Sequence, residues 1–108
     1  MANLTLPDGI PPVYRGGPSL KFKRHEVKID RRTGLVKTTH GISVDAEPAR
    51  VAKFGGAYEV RGLPEGLTIV QRGQRSTHYE IVPTVPLTPE RYQELLDQVE
   101  LKLLREEP

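Results

Sequence analysis

The chain has no cysteine and no tryptophan, one methionine, and only 6% aromatic residues in 108. Without cysteine, neither a disulfide framework nor a thiolate metal site can form. Three scattered histidines argue against a zinc site, and the expectation is that no metal is used. No run approaches the roughly 20 apolar residues of a membrane-spanning helix. The start, "MANLTLPDGIPP", has neither the basic head nor the apolar centre of a signal peptide. The expected site of action is the cytoplasm, reached if need be by delivery into a target cell without a signal peptide, and no membrane partner is expected.

What is present suits one small domain. The chain is 36% hydrophobic and 28% charged, apolar enough for a core and outside the composition of disordered chains. Its net charge is only +2, but the charge is uneven. Residues 15–37 hold Arg15, Lys21, Lys23, Arg24, Lys28, Arg31, Arg32 and Lys37 against Glu26 and Asp30. Such a stretch fits a phosphate-bearing ligand or nucleic acid, and equally a solvated β-ribbon.

Residues 1–11 read as a flexible arm, with prolines and a glycine. Residues 12–87 read as a β-rich core. "SLKFKRHEVKID" alternates and switches its apolar phase midway, which predicts a bulged strand. "LVKTTHGISV" resumes strand character, so a hairpin is expected about "RRTG". "DAEPARVAKFGG" predicts a short helix capped by Asp45 and ended by Gly55. "AYEVRG", "LTIVQRG" and "HYEIVP" predict three more strands. Thr88 as N-cap, Pro89 at the first helical position, and apolar residues at Tyr92, Leu95, Leu96, Val99 and Leu103 predict one helix over 88–106. The expected fold class is α+β: a compact, strongly bent, mainly antiparallel sheet with one short middle helix and one C-terminal helix.

Three short motifs could carry chemistry. In "VYRGG", Arg15 ends a strand beside Gly16 and Gly17, and a guanidinium fork next to bare backbone amides suits phosphate. In "TTHGISVD", Thr38, Thr39, His40 and Ser43 offer hydroxyls and an imidazole around Gly41. In "STHYEIVP", Tyr79 and Ile81 share one strand face, and His78, Glu80 and Val82 the other. His78 and Glu80 therefore face either water or a cleft. Each motif alone is more often an ordinary surface feature.

Together, in this order, the motifs resemble the mono-ADP-ribosyltransferase fold in its arginine–serine–glutamate class, over about residues 12–83. The resemblance implies a minimal, bacterial toxin-like domain that uses NAD as substrate to modify a macromolecule. It further implies Glu80, Ser43 and Arg15 as catalytic residues. Arg15, Gly16, His40, Ser43 and Tyr58 would bind NAD, with Arg15 at the phosphates or adjacent ribose and Glu80 on the ribose 2′-hydroxyl. His78 would stand where relatives select the acceptor. An immunity or antitoxin protein covering the cleft is an implied partner. The sequence departs from the family in having Gly41 before "IS" rather than a hydroxyl residue, and in having His78 two before the glutamate. Two alternatives remain: a non-enzymatic nucleic-acid or protein binding module built on the basic 15–37 ribbon, and an NAD glycohydrolase.

Overall fold

The computed structural model describes residues 4–104. Six strands form one antiparallel sheet: β1 (Tyr14–Gly16), β2 (Ile42–Asp45), β3 (Ala57–Gly62), β4 (Leu67–Gln71), β5 (His78–Pro83) and β6 (Glu100–Leu103). Two short helices, α1 (Pro48–Val51) and α2 (Pro89–Leu96), complete it. The strand order is β4-β5-β2-β1-β3-β6. The expected α+β class and antiparallel sheet are therefore observed.

The middle of the sheet is its weakest seam. β2 and β5 share four residue pairs, from Ile42 opposite Ile81 to Asp45 opposite His78. β1 and β3 share three. β1 and β2 share one, Tyr14 opposite Asp45. Beyond that pair Arg15 and Gly16 face no ladder partner on β2. The sheet thus consists of two three-stranded ladders joined at a single residue pair.

Alternation in β2 turns Ile42 and Val44 into the core, where both are almost fully buried. They meet Val13, Val36, Val60, Ile69, Ile81 and the inner face of α2. Thr88 accepts a hydrogen bond from the Arg91 backbone N–H at 3.0 Å and starts α2. Tyr92, fully buried, donates its hydroxyl to the Ile81 carbonyl at 2.5 Å and accepts from the Ile42 N–H at 3.0 Å. One side chain of α2 therefore ties β2 to β5.

Several expectations are corrected here. The helix predicted over 88–106 stops at Leu96; after a tight turn, Val99 is buried and residues 100–103 pair with β3 as strand β6. Positions 105 and 106 of that prediction lie outside the described residues. The bulged strand expected over "SLKFKRHEVKID", residues 19–30, does not form; only Ile29 makes an isolated bridge. Gln93 of α2 donates to the Leu20 carbonyl at 3.0 Å and accepts from the Phe22 N–H at 3.2 Å, so a side chain takes the place of a ladder. Arg24–Glu26 then makes one 3-10 turn. The hairpin about "RRTG" shrinks to a single bridge between Ile29 and Val36.

Within the predicted arm, residues 4–11 are attached. Thr5 exchanges two backbone hydrogen bonds with Leu63, at 3.0 and 2.8 Å, and Ile10 packs on the core. Positions 1–3 of the arm lie outside the described residues. The middle helix is present as α1 with a 3-10 turn, Ala52–Phe54, and Gly55 ends it at φ 106°. Its N-cap is Glu47 rather than Asp45, although Asp45 accepts the Glu47 N–H at 2.9 Å.

Candidate functional site

A cleft of about 580 Å³ opens where the β1–β2 ladder ends. Its walls include Arg15 and Gly16 of β1, Ser43 to Asp45 of β2, and His78 of β5. The 3-10 turn brings Lys23, His25 and Glu26 to the rim, and the β4–β5 loop brings Arg75. Val51 and Phe54 supply an apolar side; Phe54 is 65% exposed. A volume of this size is in the range of small-molecule sites.

Arg15 is the centre of the cleft's hydrogen bonding. Its Nη1 donates to Glu26 Oε2 at 3.0 Å and to the Ser43 carbonyl at 2.9 Å. Glu26 Oε2 also accepts the Ser43 N–H at 3.3 Å, and Oε1 accepts the Lys23 N–H at 2.9 Å. These contacts bridge the seam that the strands leave open. Arg15 Nε is buried and has no partner among the described residues. Gly16 has a packing reason to be glycine. A Cβ there would lie 2.6 Å from the Val51 carbonyl oxygen and 2.7 Å from Phe54 Cβ, so its absence lets α1 and the following turn close on β1.

Glu80 lies directly opposite Ser43 in the β2–β5 ladder. It faces neither water nor the cleft: it is 2% exposed. Its Oε1 accepts the Gly41 N–H at 3.0 Å, and its Oε2 meets Arg72 Nη2 at 2.7 Å and His78 Nε2 at 2.9 Å. Burial pushes its carboxyl upward, but the hydrogen bonds from Arg72, His78 and Gly41 outweigh this and hold it below the usual carboxylate range. His78 connects the two places, because it lines the cleft while bonding Glu80.

Asp45, the other buried carboxylate, sits opposite His78 and pairs with Arg75 at 2.7 Å. Burial again pushes it upward, and the Glu47 N–H and Arg75 prevail to lower it. One loop between β4 and β5 thus neutralises both buried carboxylates, Arg72 serving Glu80 and Arg75 serving Asp45.

His40 and Tyr58 do not line the cleft. His40 Nδ1 lies 2.8 Å from Thr39 Oγ1. Burial and Arg72 push its imidazole below its ordinary value, with Lys28 and Lys37 adding to this and Glu80 opposing it. Tyr58 is the register partner of Arg15 on β3 and is half-buried there. The structure therefore brings Arg15, Gly16, Ser43 and His78 to the cleft wall, places Glu80 immediately behind His78, and leaves His40 and Tyr58 outside it.

Comparison of the chain with protein-family models, curated proteins and solved structures returned no match.

Sequence reasoning missed Glu26, Arg72 and the pairing of Asp45 with Arg75. Glu26 sits in an alternating charged run that reads as a solvent-facing ribbon, and Lys23, with no side-chain acceptor, does not complete the Ser/Thr-x-x-Glu signature of a capping turn. "QRGQRS" is visibly basic, but nothing local tells which acids its arginines meet. Among the described residues no group of three His, Asp or Glu is arranged to hold a metal ion, and no helix is long and apolar enough to cross a membrane.

Proposed function

We propose that the cleft binds NAD and that the protein transfers its ADP-ribose to a macromolecular acceptor. The observation that carries this reading is the adjacency of three motif residues. Arg15, Ser43 and Glu80 lie far apart in sequence, yet their strands are neighbours in the order β5-β2-β1. Arg15 bonds the Ser43 carbonyl, and Ser43 lies opposite Glu80. A cationic cleft with an exposed aromatic ring on one side suits a dinucleotide, which offers a pyrophosphate and two flat heterocycles.

In this reading Arg15 meets the phosphates or the adjacent ribose, exchanging its bond to Glu26 for one to ligand oxygen. Ser43 supports the nicotinamide ribose. Breaking the nicotinamide–ribose bond sends the bonding pair to the nicotinamide nitrogen and leaves positive charge on the sugar, as in glycoside hydrolysis. A buried, ionised Glu80 held against that sugar stabilises the charge. The acceptor nucleophile then bonds the sugar carbon and loses its proton. For the 2′-hydroxyl to reach Glu80, one carboxylate partner must yield. His78 is that partner, because it lines the cleft and covers Glu80, whereas Arg72 does not line the cleft. His78, between Glu80 and the cleft, is placed to meet the acceptor.

The reading implies an immunity or antitoxin protein that covers the cleft. It is tested by calorimetric titration of NAD into the protein and into Arg15→Ala. Binding by the first and a loss of about tenfold or more in the second is expected, since a charge-assisted hydrogen bond contributes roughly 1.5–3 kcal/mol. Equal affinity of the two proteins would remove Arg15 from the site. No NAD binding by either would remove the reading.

A further inference from the structure

The surface beside the cleft carries an excess of positive charge. Between residues 21 and 40, Lys23, Arg24, Lys28, Arg31, Arg32 and Lys37 are all exposed. None has a carboxylate within ion-pair distance among the described residues. The two acids of this stretch do not offset them at the surface. Glu26 is turned inward to Arg15, with 8% of its side chain exposed. Asp30 is half-buried and accepts the Arg32 N–H at 2.8 Å.

The cations connect the site to a second hollow. Lys23 lines the cleft, and the next residue, Arg24, lines a separate depression with Val27, Ile29, Asp30, Arg31 and Gly34. Lys28 and Lys37 are held together by a 2.8 Å backbone bond, and both act electrostatically on His40, which also senses Arg72 and Glu80. The exposed cations therefore extend from the cleft rim at Lys23 along the 24–37 segment.

We propose that this strip docks the phosphate backbone of a nucleic acid, the macromolecular acceptor of the reaction. The inference rests on the proposed ADP-ribosyl transfer. An acidic protein fits less well, because protein interfaces are anchored by exposed apolar or aromatic side chains. Here Phe22, Val27, Ile29, Leu35 and Val36 are all buried or half-buried. The exposed remainder includes Thr33, Thr38 and Thr39, hydroxyls of the kind that bond phosphate oxygens. With no exposed aromatic in the strip to stack on bases, binding runs through the backbone and is indifferent to sequence.

The experiment is fluorescence anisotropy with labelled mixed-sequence oligonucleotides, single-stranded and duplex, at several salt concentrations. The wild-type protein is expected to bind both, with log affinity falling by about 0.7–0.9 per engaged phosphate for each unit of log salt. Reversing Lys28, Arg31, Arg32 and Lys37 to glutamate is expected to lower the magnitude of that slope by about three, and the affinity at least tenfold at about 100 mM salt. Far-UV circular dichroism verifies that this variant is folded. Its nicotinamide release from NAD is expected to stay at the wild-type rate, because none of the four lines the cleft. Absence of oligonucleotide binding, a slope unchanged in the variant, or equally tight binding of polyglutamate overturns the docking surface. Oligonucleotide binding without NAD cleavage instead overturns the transferase reading and with it the acceptor role.

Discussion

Replacing Tyr92 with phenylalanine removes one oxygen atom from the middle of the molecule. That hydroxyl is the donor to the Ile81 carbonyl and the acceptor of the Ile42 N–H, and the side chain is fully buried. Burial also pushes its pKa far above the usual tyrosine value, so the group stays protonated. Each buried polar group left without a partner costs roughly 1–3 kcal/mol. Phenylalanine recovers part of this, because its ring carries no hydroxyl to desolvate. The net expected loss is about 2–3 kcal/mol, a large share of the roughly 5–15 kcal/mol typical of a domain. Urea unfolding followed by circular dichroism should give a lower midpoint with an unchanged slope, and the melting temperature should drop on the order of 10 °C. Ile42 and Ile81 adjoin Ser43 and Glu80, so NAD turnover should weaken as well. A loss below about 0.5 kcal/mol would refute the view that this hydroxyl clamps β2 to β5.

Three further outcomes are expected. Glu26→Gln keeps one acceptor oxygen, enough for the Ser43 N–H or the exposed Lys23 N–H but not both, and removes the charge that competes with ligand phosphate for Arg15; NAD affinity by calorimetry should rise about three- to tenfold, and a fall would mean that Glu26 chiefly orients Arg15. Asp45 and Glu80 both have folded pKa values below their unfolded ones of about 4. Their contribution to stability is therefore present above that pH and lost as pH falls through the lower folded values; urea midpoints should hold from neutral pH to about 5 and then decline, less steeply in Asp45→Asn. Thr88→Ala removes the side-chain acceptor of the Arg91 N–H and should cost about 1 kcal/mol in urea unfolding, without changing NAD affinity.

Strands whose alternation or composition is unambiguous were legible: "AYEVRG", "LTIVQ" and "HYEIVP" are β3, β4 and β5. The start of α2 was legible because Thr88 and Pro89 act locally. Its end was not. Val99, Leu101 and Leu103 alternate with period two, but Val99 and Leu103 also fit a helical stripe with Tyr92 and Leu96. Pairing with β3 decides the matter, and that is tertiary information. The segment around Phe22 failed for a related reason, since Gln93, about seventy positions later, satisfies its backbone. Of the site, the order of "VYRGG", "HGISVD" and "HYEIV" pointed to three residues that the sheet makes neighbours. The ion pairs holding them were hidden, because Glu26, Arg72 and Arg75 look like solvated charges until the 3-10 turn and the β4–β5 loop place them.

The central claim is that Glu80 acts on the ribose of NAD in a cleft built around Arg15 and Ser43. Single-turnover release of labelled nicotinamide from NAD, by the wild-type protein and by Glu80→Gln, tests it most directly. The account predicts release by the wild type and a rate about 10²–10³ lower in Glu80→Gln, with NAD still bound. Release by Glu80→Gln at the wild-type rate, or none by either protein, would contradict it.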